Sequence, residues 1–181
     1  MMRRTPRAPT RRLLLLGTAG ALAGCGFRPL YATADGGAPG PAAAGLATVY
    51  VPVLPERTGQ LIRQALQQRF EGAGTGAAKK YQLDVTYNVA NEGVAIQRDS
   101  STSRVRLVGT ANWVLRRLAL DRTPLASGSA RVLDGFNILN QQYFAADLES
   151  GAATARVTQA LADQITQRLG IYFQQRAAAP A

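Results

Sequence analysis

The chain has 181 residues, a formal charge of +10 at pH 7, no histidine and a single cysteine, Cys25. A lone thiol without histidine excludes an internal disulfide, a Cys–His nucleophile and most zinc-type metal sites. No Gly-x-Ser-x-Gly elbow occurs, and Gly72-Ala73-Gly74-Thr75-Gly76 ahead of Lys79-Lys80 lacks the spacing of a phosphate loop, so it reads as a turn.

The N-terminus carries Arg3, Arg4, Arg7, Arg11 and Arg12 without an acid, then an apolar run from Leu13 and small residues up to Gly24. That order describes a secretory signal, and a run of about ten residues is half of the ~20 that a bilayer span requires. Leu22-Ala23-Gly24-Cys25 resembles a bacterial lipobox. The expectation is a signal peptide over residues 1–24, cleaved before Cys25. The Cys25 sulfur then carries a diacylglycerol, and the new amine an acyl chain. Thr10-Arg11-Arg12-Leu13-Leu14 is also loosely similar to a twin-arginine signal, and the export route stays open. Cleavage would leave 157 of the 181 residues, the size of one domain, and remove five of the arginines. Export sets nucleic acid aside as the partner of the remaining positive charge. Acidic lipid or a charged saccharide fits it better.

Residues 25–46 read as the acylated N-terminus and a flexible linker, because Asp35 to Gly45 is almost entirely Ala, Gly and Pro. A single α+β domain is predicted over 47–174. Val49, Val51 and Val53 alternate as a first strand in which Pro52 favours an edge position. Thr58 is placed to cap a helix over Gly59–Phe70, with Leu61, Ile62, Ala65, Leu66 and Phe70 on one face. Tyr81, Leu83, Val85, Tyr87 and Val89 mark a second strand, Gln97 to Ser103 a turn, and Val105 to Leu115 a third strand. A fourth spans about Leu125–Ile138. The last element is a long helix from near Asp147 or Ser150, with Val157, Leu161, Ile165 and Leu169 every four residues, and 175–181 reads as a disordered tail.

Strand, helix, three strands, helix gives a parallel first crossover followed by antiparallel pairs. The predicted fold is a two-layer α+β sandwich, two helices on one face of a four-stranded mixed sheet. Val85, Tyr87, Leu107, Trp113, Phe136, Leu161 and Ile165 are expected in one core. If Val105, Leu107, Ala111, Trp113 and Leu115 face the helices, Arg104, Arg106, Thr110, Asn112 and Arg116 face away, as do Arg131, Ser129 and Ser127. Val108 and Val114 also lie on this open face, and Arg98 sits in the turn beside it. Guanidinium groups suit phosphate because their planar fork donates two hydrogen bonds at once.

The lipobox followed by Gly26-Phe27-Arg28-Pro29-Leu30-Tyr31 resembles the start of mature LptE-type lipopolysaccharide-assembly lipoproteins, in the form seen in alphaproteobacteria. The element order and a closing helix with Leu161-Ala162-Asp163-Gln164-Ile165-Thr166-Gln167-Arg168-Leu169 agree. The resemblance implies a non-enzymatic outer-membrane lipoprotein, lipid-anchored and facing the periplasm. Such proteins plug the lumen of an LptD-type β-barrel translocon, bind lipopolysaccharide, and assist its assembly at the cell surface. It implies no metal and no cofactor beyond the lipids on Cys25. It also directs attention to two basic positions. Arg98-Asp99 resembles an Arg-Asn in the turn between the second and third strands, and Ala130-Arg131-Val132 resembles an Ala-Lys-Val in the fourth. Arg98 and Arg131 are thus the leading lipopolysaccharide contacts, with Arg104 and Arg106 behind them. Asp99 departs from the family pattern and reduces the charge of the turn. The alternative is an auxiliary protein-binding lipoprotein of another envelope transport complex. A hydrolase built on Asp84, Asp134, Asp147 or Glu149 lacks a carboxylate pair in suitable context.

Overall fold

The computed structural model describes residues 37–72, 76–96, 102–119, 122–138 and 143–179. Cys25, the leader and Arg98 lie outside them. Among the described residues the elements run α1 (Pro41–Ala47), β1 (Val49–Tyr50), α2 (Glu56–Glu71), β2 (Tyr81–Ile96), β3 (Thr102–Arg117), β4 (Pro124–Asn137) and α3 (Tyr143–Ala178). The strands form one mixed sheet in the order β1-β2-β3-β4. β1 is parallel to β2 across the α2 crossover, and the other two pairings are antiparallel. This is the predicted α+β sandwich, with a third, short helix added.

That third helix changes the linker reading at its end. Pro41 begins α1 at a position where a missing N–H costs nothing, and the alanines that follow favour helix. Ala42, Leu46 and Ala47 are buried. Gly45 lets the ring of Phe173 approach so closely that a Cβ there would overlap it. Composition suggested a segment with little to bury; Leu46, with the small residues Ala42, Gly45 and Ala47, instead docks the helix against the core. At the other terminus, α3 continues through the expected tail to Ala178, where Arg176 donates to the Tyr172 hydroxyl. It also starts earlier than predicted, at Tyr143.

α2 begins at Glu56, two residues ahead of the predicted Thr58 cap. Pro55 holds the extended entry conformation, and the Gln60 side-chain amide donates to the Leu54 carbonyl. Glu56 places an acid in the first turn, which favours the helix dipole. β1 is only two residues long, because Pro52 soon ends any ladder. β2 extends seven residues past Val89, to Ile96, with an irregular register between Gly93 and Ile96.

The core lies between the sheet and α2/α3. Val157, Leu161, Ile165 and Leu169 are each 0% exposed, as the four-residue spacing required. Leu83, Val85, Leu107, Ala111, Trp113 and Leu115 meet them from the sheet, with Tyr87 and Phe136 partly buried at the margin. Two close contacts of the sheet depend on glycine, one on β3 and one on β4. A Cβ on Gly109 would overlap Val157 where α3 crosses the sheet, and one on Gly128, opposite Trp113, would sit 2.7 Å from its indole Cζ2. The buried hydroxyls of Thr158 and Thr166 donate back to carbonyls of their own helix, Ala155 and Ala162.

Candidate functional site

Pairing register lines up the side chains of the uncovered face in rows across β2, β3 and β4. One row is Glu92, Arg106 and Gly135; the next is Ala90, Val108 and Leu133; the third is Asn88, Thr110 and Arg131. Cross-strand neighbours on one face lie roughly 5 Å apart and successive rows about 7 Å apart. A short apolar band is therefore flanked by arginine on both sides. Val108 is only 8% exposed although no helix covers it, whereas Leu133 is 58% exposed.

The four arginines of this face fall into two classes. Arg106 donates through Nε and Nη2 to Glu92 Oε2, at 3.0 and 2.6 Å. Arg116 donates through Nε to Asp84 Oδ2 at 3.0 Å, and Gln82 holds the other carboxylate oxygen. Both are solvent-exposed pairs, of the kind that contributes about 0.2–1 kcal/mol. Arg104 and Arg131 have no acidic partner among the described residues, and both are exposed. Arg131 is held by its backbone. Its N–H donates to Gln164 Oε1 and its carbonyl accepts from Gln164 Nε2, so α3 holds the edge of β4 at this point without using the guanidinium.

An open cleft of about 550 Å³ runs along this end of the sheet, lined by Val94, Arg104, Val105, Arg106, Leu133 and Gly135 and by Asp134, whose carboxylate is paired with Arg156. It combines two guanidinium groups with apolar surface, a match for an amphiphile that carries acidic groups on an apolar body. Arg131 stands outside the cleft, four residues along the sheet from the Arg106 row, roughly 13 Å. The cleft lies at the end of the sheet where β2 finishes and β3 begins. The chain enters the domain at the other end, where Lys80 and Tyr81 donate to the Thr48 carbonyl. Fourteen residues of β2 separate the two ends, roughly 45 Å.

Sequence alternation placed Arg104, Arg106 and Arg131 on the outer face, and the structure puts them there. It brings Arg104 and Arg106 together and separates Arg131. It leaves Arg98 and Cys25 outside the described residues. Two elements of the face were missed. Leu133 was available to the same alternation that placed Arg131 and Val132, and Val94 lies beyond the point where β2 was expected to end. The neutralising acids were visible as residues, but not as partners of particular arginines.

The carboxylates named for hydrolysis are dispersed. Asp84 stands on the outer face, while Asp134 occupies an inner-face position beside Val105 and Phe136 and pairs with Arg156 at 2.7 Å. The hydrogen bond from Arg156 holds the Asp134 carboxyl below its ordinary range. Among the described residues, no three His, Cys, Asp or Glu side chains gather as metal ligands, and no helix is long and apolar enough to cross a membrane.

The lipopolysaccharide-assembly family LptE matches residues 46–169. Three solved structures share the fold. A protein of Caulobacter crescentus CB15 described as a lipoprotein is 20% identical, with a TM-score of 0.59 over 73% of this chain and 95% of its own. Rare lipoprotein B of Shewanella oneidensis is 12% identical, with a TM-score of 0.54 over 72% and 97%. Lipoprotein B of Nitrosomonas europaea is 13% identical, with a TM-score of 0.50 over 68% and 81%. No curated protein matches the sequence.

Proposed function

The chain belongs to the LptE lipopolysaccharide-assembly family, and from that premise we propose that it is a non-enzymatic outer-membrane lipoprotein that binds lipopolysaccharide and plugs an LptD-type β-barrel. Acylation of Cys25 anchors it to the periplasmic leaflet, since several chains hold a protein far more firmly than one. A polar, arginine-bearing sheet face suits the lumen of such a barrel, which is itself polar. The observation that carries the lipopolysaccharide reading is the apolar row Ala90–Val108–Leu133, flanked by Arg106 and Arg131, with Arg104 one row beyond Arg106; Arg104 and Arg131 have no acidic partner among the described residues. Phosphates on the glycolipid meet the guanidinium groups, while its apolar body lies against Val108 and Leu133. Arg98 contributes from the turn. Arg106, already neutralised by Glu92, contributes less.

The test compares lipopolysaccharide binding by Arg104→Asp/Arg131→Asp with that by Arg57→Asp/Arg168→Asp. The second pair makes the same charge change on exposed helix positions. Arg156 would be a poor control because it already pairs with Asp134. Charge-assisted hydrogen bonds contribute about 1.5–3 kcal/mol each, so the first variant should lose roughly tenfold or more in affinity. Equal losses in both variants would reduce the effect to net charge and remove the site. For the anchor, intact mass of the native protein should show lipid on Cys25, and Cys25→Ala should block maturation.

A further inference from the structure

We propose that the free edge of β2, over Val85–Asn91, is the strand-docking site for the barrel partner, accepting an extended segment of that protein as an added β-strand. The inference rests on the partner reading above and names the surface it uses.

The sheet has two outer edges, and they are treated differently. On β4 the outward backbone groups of Arg131 are bonded by the Gln164 side chain, and α3 lies alongside. On the other side, β1 pairs only with Tyr81 and Gln82 and then stops. The Tyr81 N–H points outward to the Thr48 carbonyl. Backbone direction alternates every residue, so the N–H and C=O groups of Val85, Tyr87, Val89 and Asn91 point the same way. No backbone hydrogen bond joins these residues to any described segment except β3.

Unpaired edges are normally protected by proline, lysine, a bulge or a covering element. Val85-Thr86-Tyr87-Asn88-Val89-Ala90-Asn91 carries neither proline nor charge and is rich in β-formers. Its register with β3 is regular, and the irregularity begins only at Gly93. Such a stretch invites pairing with another chain. The neighbouring loop touches this stretch through the Tyr87 hydroxyl, which donates to the Pro55 carbonyl, but it makes no backbone hydrogen bond with it. An open cleft of about 520 Å³ lies between Pro55–Thr58 and Val85–Val89, wide enough for the side chains of an incoming strand. A row of alternating backbone donors and acceptors at strand spacing recognises an extended polypeptide and nothing else. Main-chain bonds supply the affinity, and the cleft supplies side-chain selection.

The experiment uses the acylated full-length protein in detergent-solubilised outer membrane, with the barrel identified by mass spectrometry. Asn91→Pro deletes one outward N–H from an exposed position and spares the β3 ladder, so the fold and glycolipid binding should be kept while barrel recovery falls roughly tenfold. Hydrogen exchange needs no variant. Amides of Val85, Tyr87, Val89 and Asn91 should exchange fast in the free protein and at least about tenfold slower in the complex. Recovery of the barrel with unchanged exchange over 85–91 would overturn the edge proposal alone. Failure of the wild type to recover any barrel would overturn the partner reading and the docking site with it. Concentration-dependent protection without the barrel would assign the edge to a second copy of this chain and overturn the proposal as stated.

Discussion

The two faces of β3 are built from one backbone with opposite rules. Val105, Leu107, Ala111, Trp113 and Leu115 point into the helices, and what matters there is volume. The close approach of α3 requires Gly109, and Gly128 opposite leaves room for the indole. Arg104, Arg106, Thr110, Asn112 and Arg116 point away, and what matters there is whether each charge has a partner. The difference teaches that burial constrains shape to fractions of an ångström, whereas the open face tolerates any shape provided its charge pattern survives.

Replacing Trp113 with Ala is the strongest way to break this contrast. The ring is 4% exposed, and its removal should cost about 3–5 kcal/mol, read from urea denaturation. Its indole N–H is buried without a hydrogen-bond partner among the described residues, so Trp113→Phe should lose much less than Trp113→Ala. An unchanged midpoint for Trp113→Ala would reverse the assignment of inner and outer faces.

Gly109→Ala comes next. The added methyl overlaps Val157 and must push α3 off the sheet, an overpacking penalty of about 1–3 kcal/mol. The equivalent change on the outer face, Thr110→Ala, should stay within about 0.5 kcal/mol. Similar losses at the two positions would erase the distinction.

Acid titration probes a charge placed on the inner side. Asp134 has a folded pKa lowered by the Arg156 hydrogen bond, so ionised Asp134 stabilises the protein above its ordinary value of 3.8. That contribution disappears as pH falls through the lower folded value. The melting temperatures of wild type and Arg156→Ala should therefore differ at neutral pH and converge below about pH 4. A constant gap across this range would mean that Arg156 acts through packing rather than charge.

The smallest effect belongs to the outer pair. Glu92→Ala should cost about 0.2–1 kcal/mol and fade with added salt, because Arg106 and Glu92 are both half-exposed. It should also free Arg106 and raise lipopolysaccharide affinity. A fall in affinity instead would show that Glu92 positions Arg106 for the ligand.

Much of this was readable from local pattern. Period-two alternation assigned Leu107 and Trp113 to the core and Arg104, Arg106 and Arg131 to the open face, since successive residues of any strand point to opposite sides. Four-residue spacing placed Val157, Leu161, Ile165 and Leu169 on the buried side of α3. The motif around Cys25 and the order of elements identified the family. These features require only neighbours along the chain.

Tertiary structure decided what depends on partners distant in sequence. Register sets Glu92 against Arg106 and Asp84 near Arg116, leaving Arg104 and Arg131 without an acidic partner among the described residues. No local rule could select those two from four arginines on one face. The packing of Phe173 against Gly45 turned an Ala/Gly/Pro stretch into helix α1. The early end of β1 left one edge open, and the reach of Gln164 to Arg131 tied the other to α3 at one point. Each of these is a long-range contact, and composition and periodicity describe only what a segment presents, not what another segment brings to meet it.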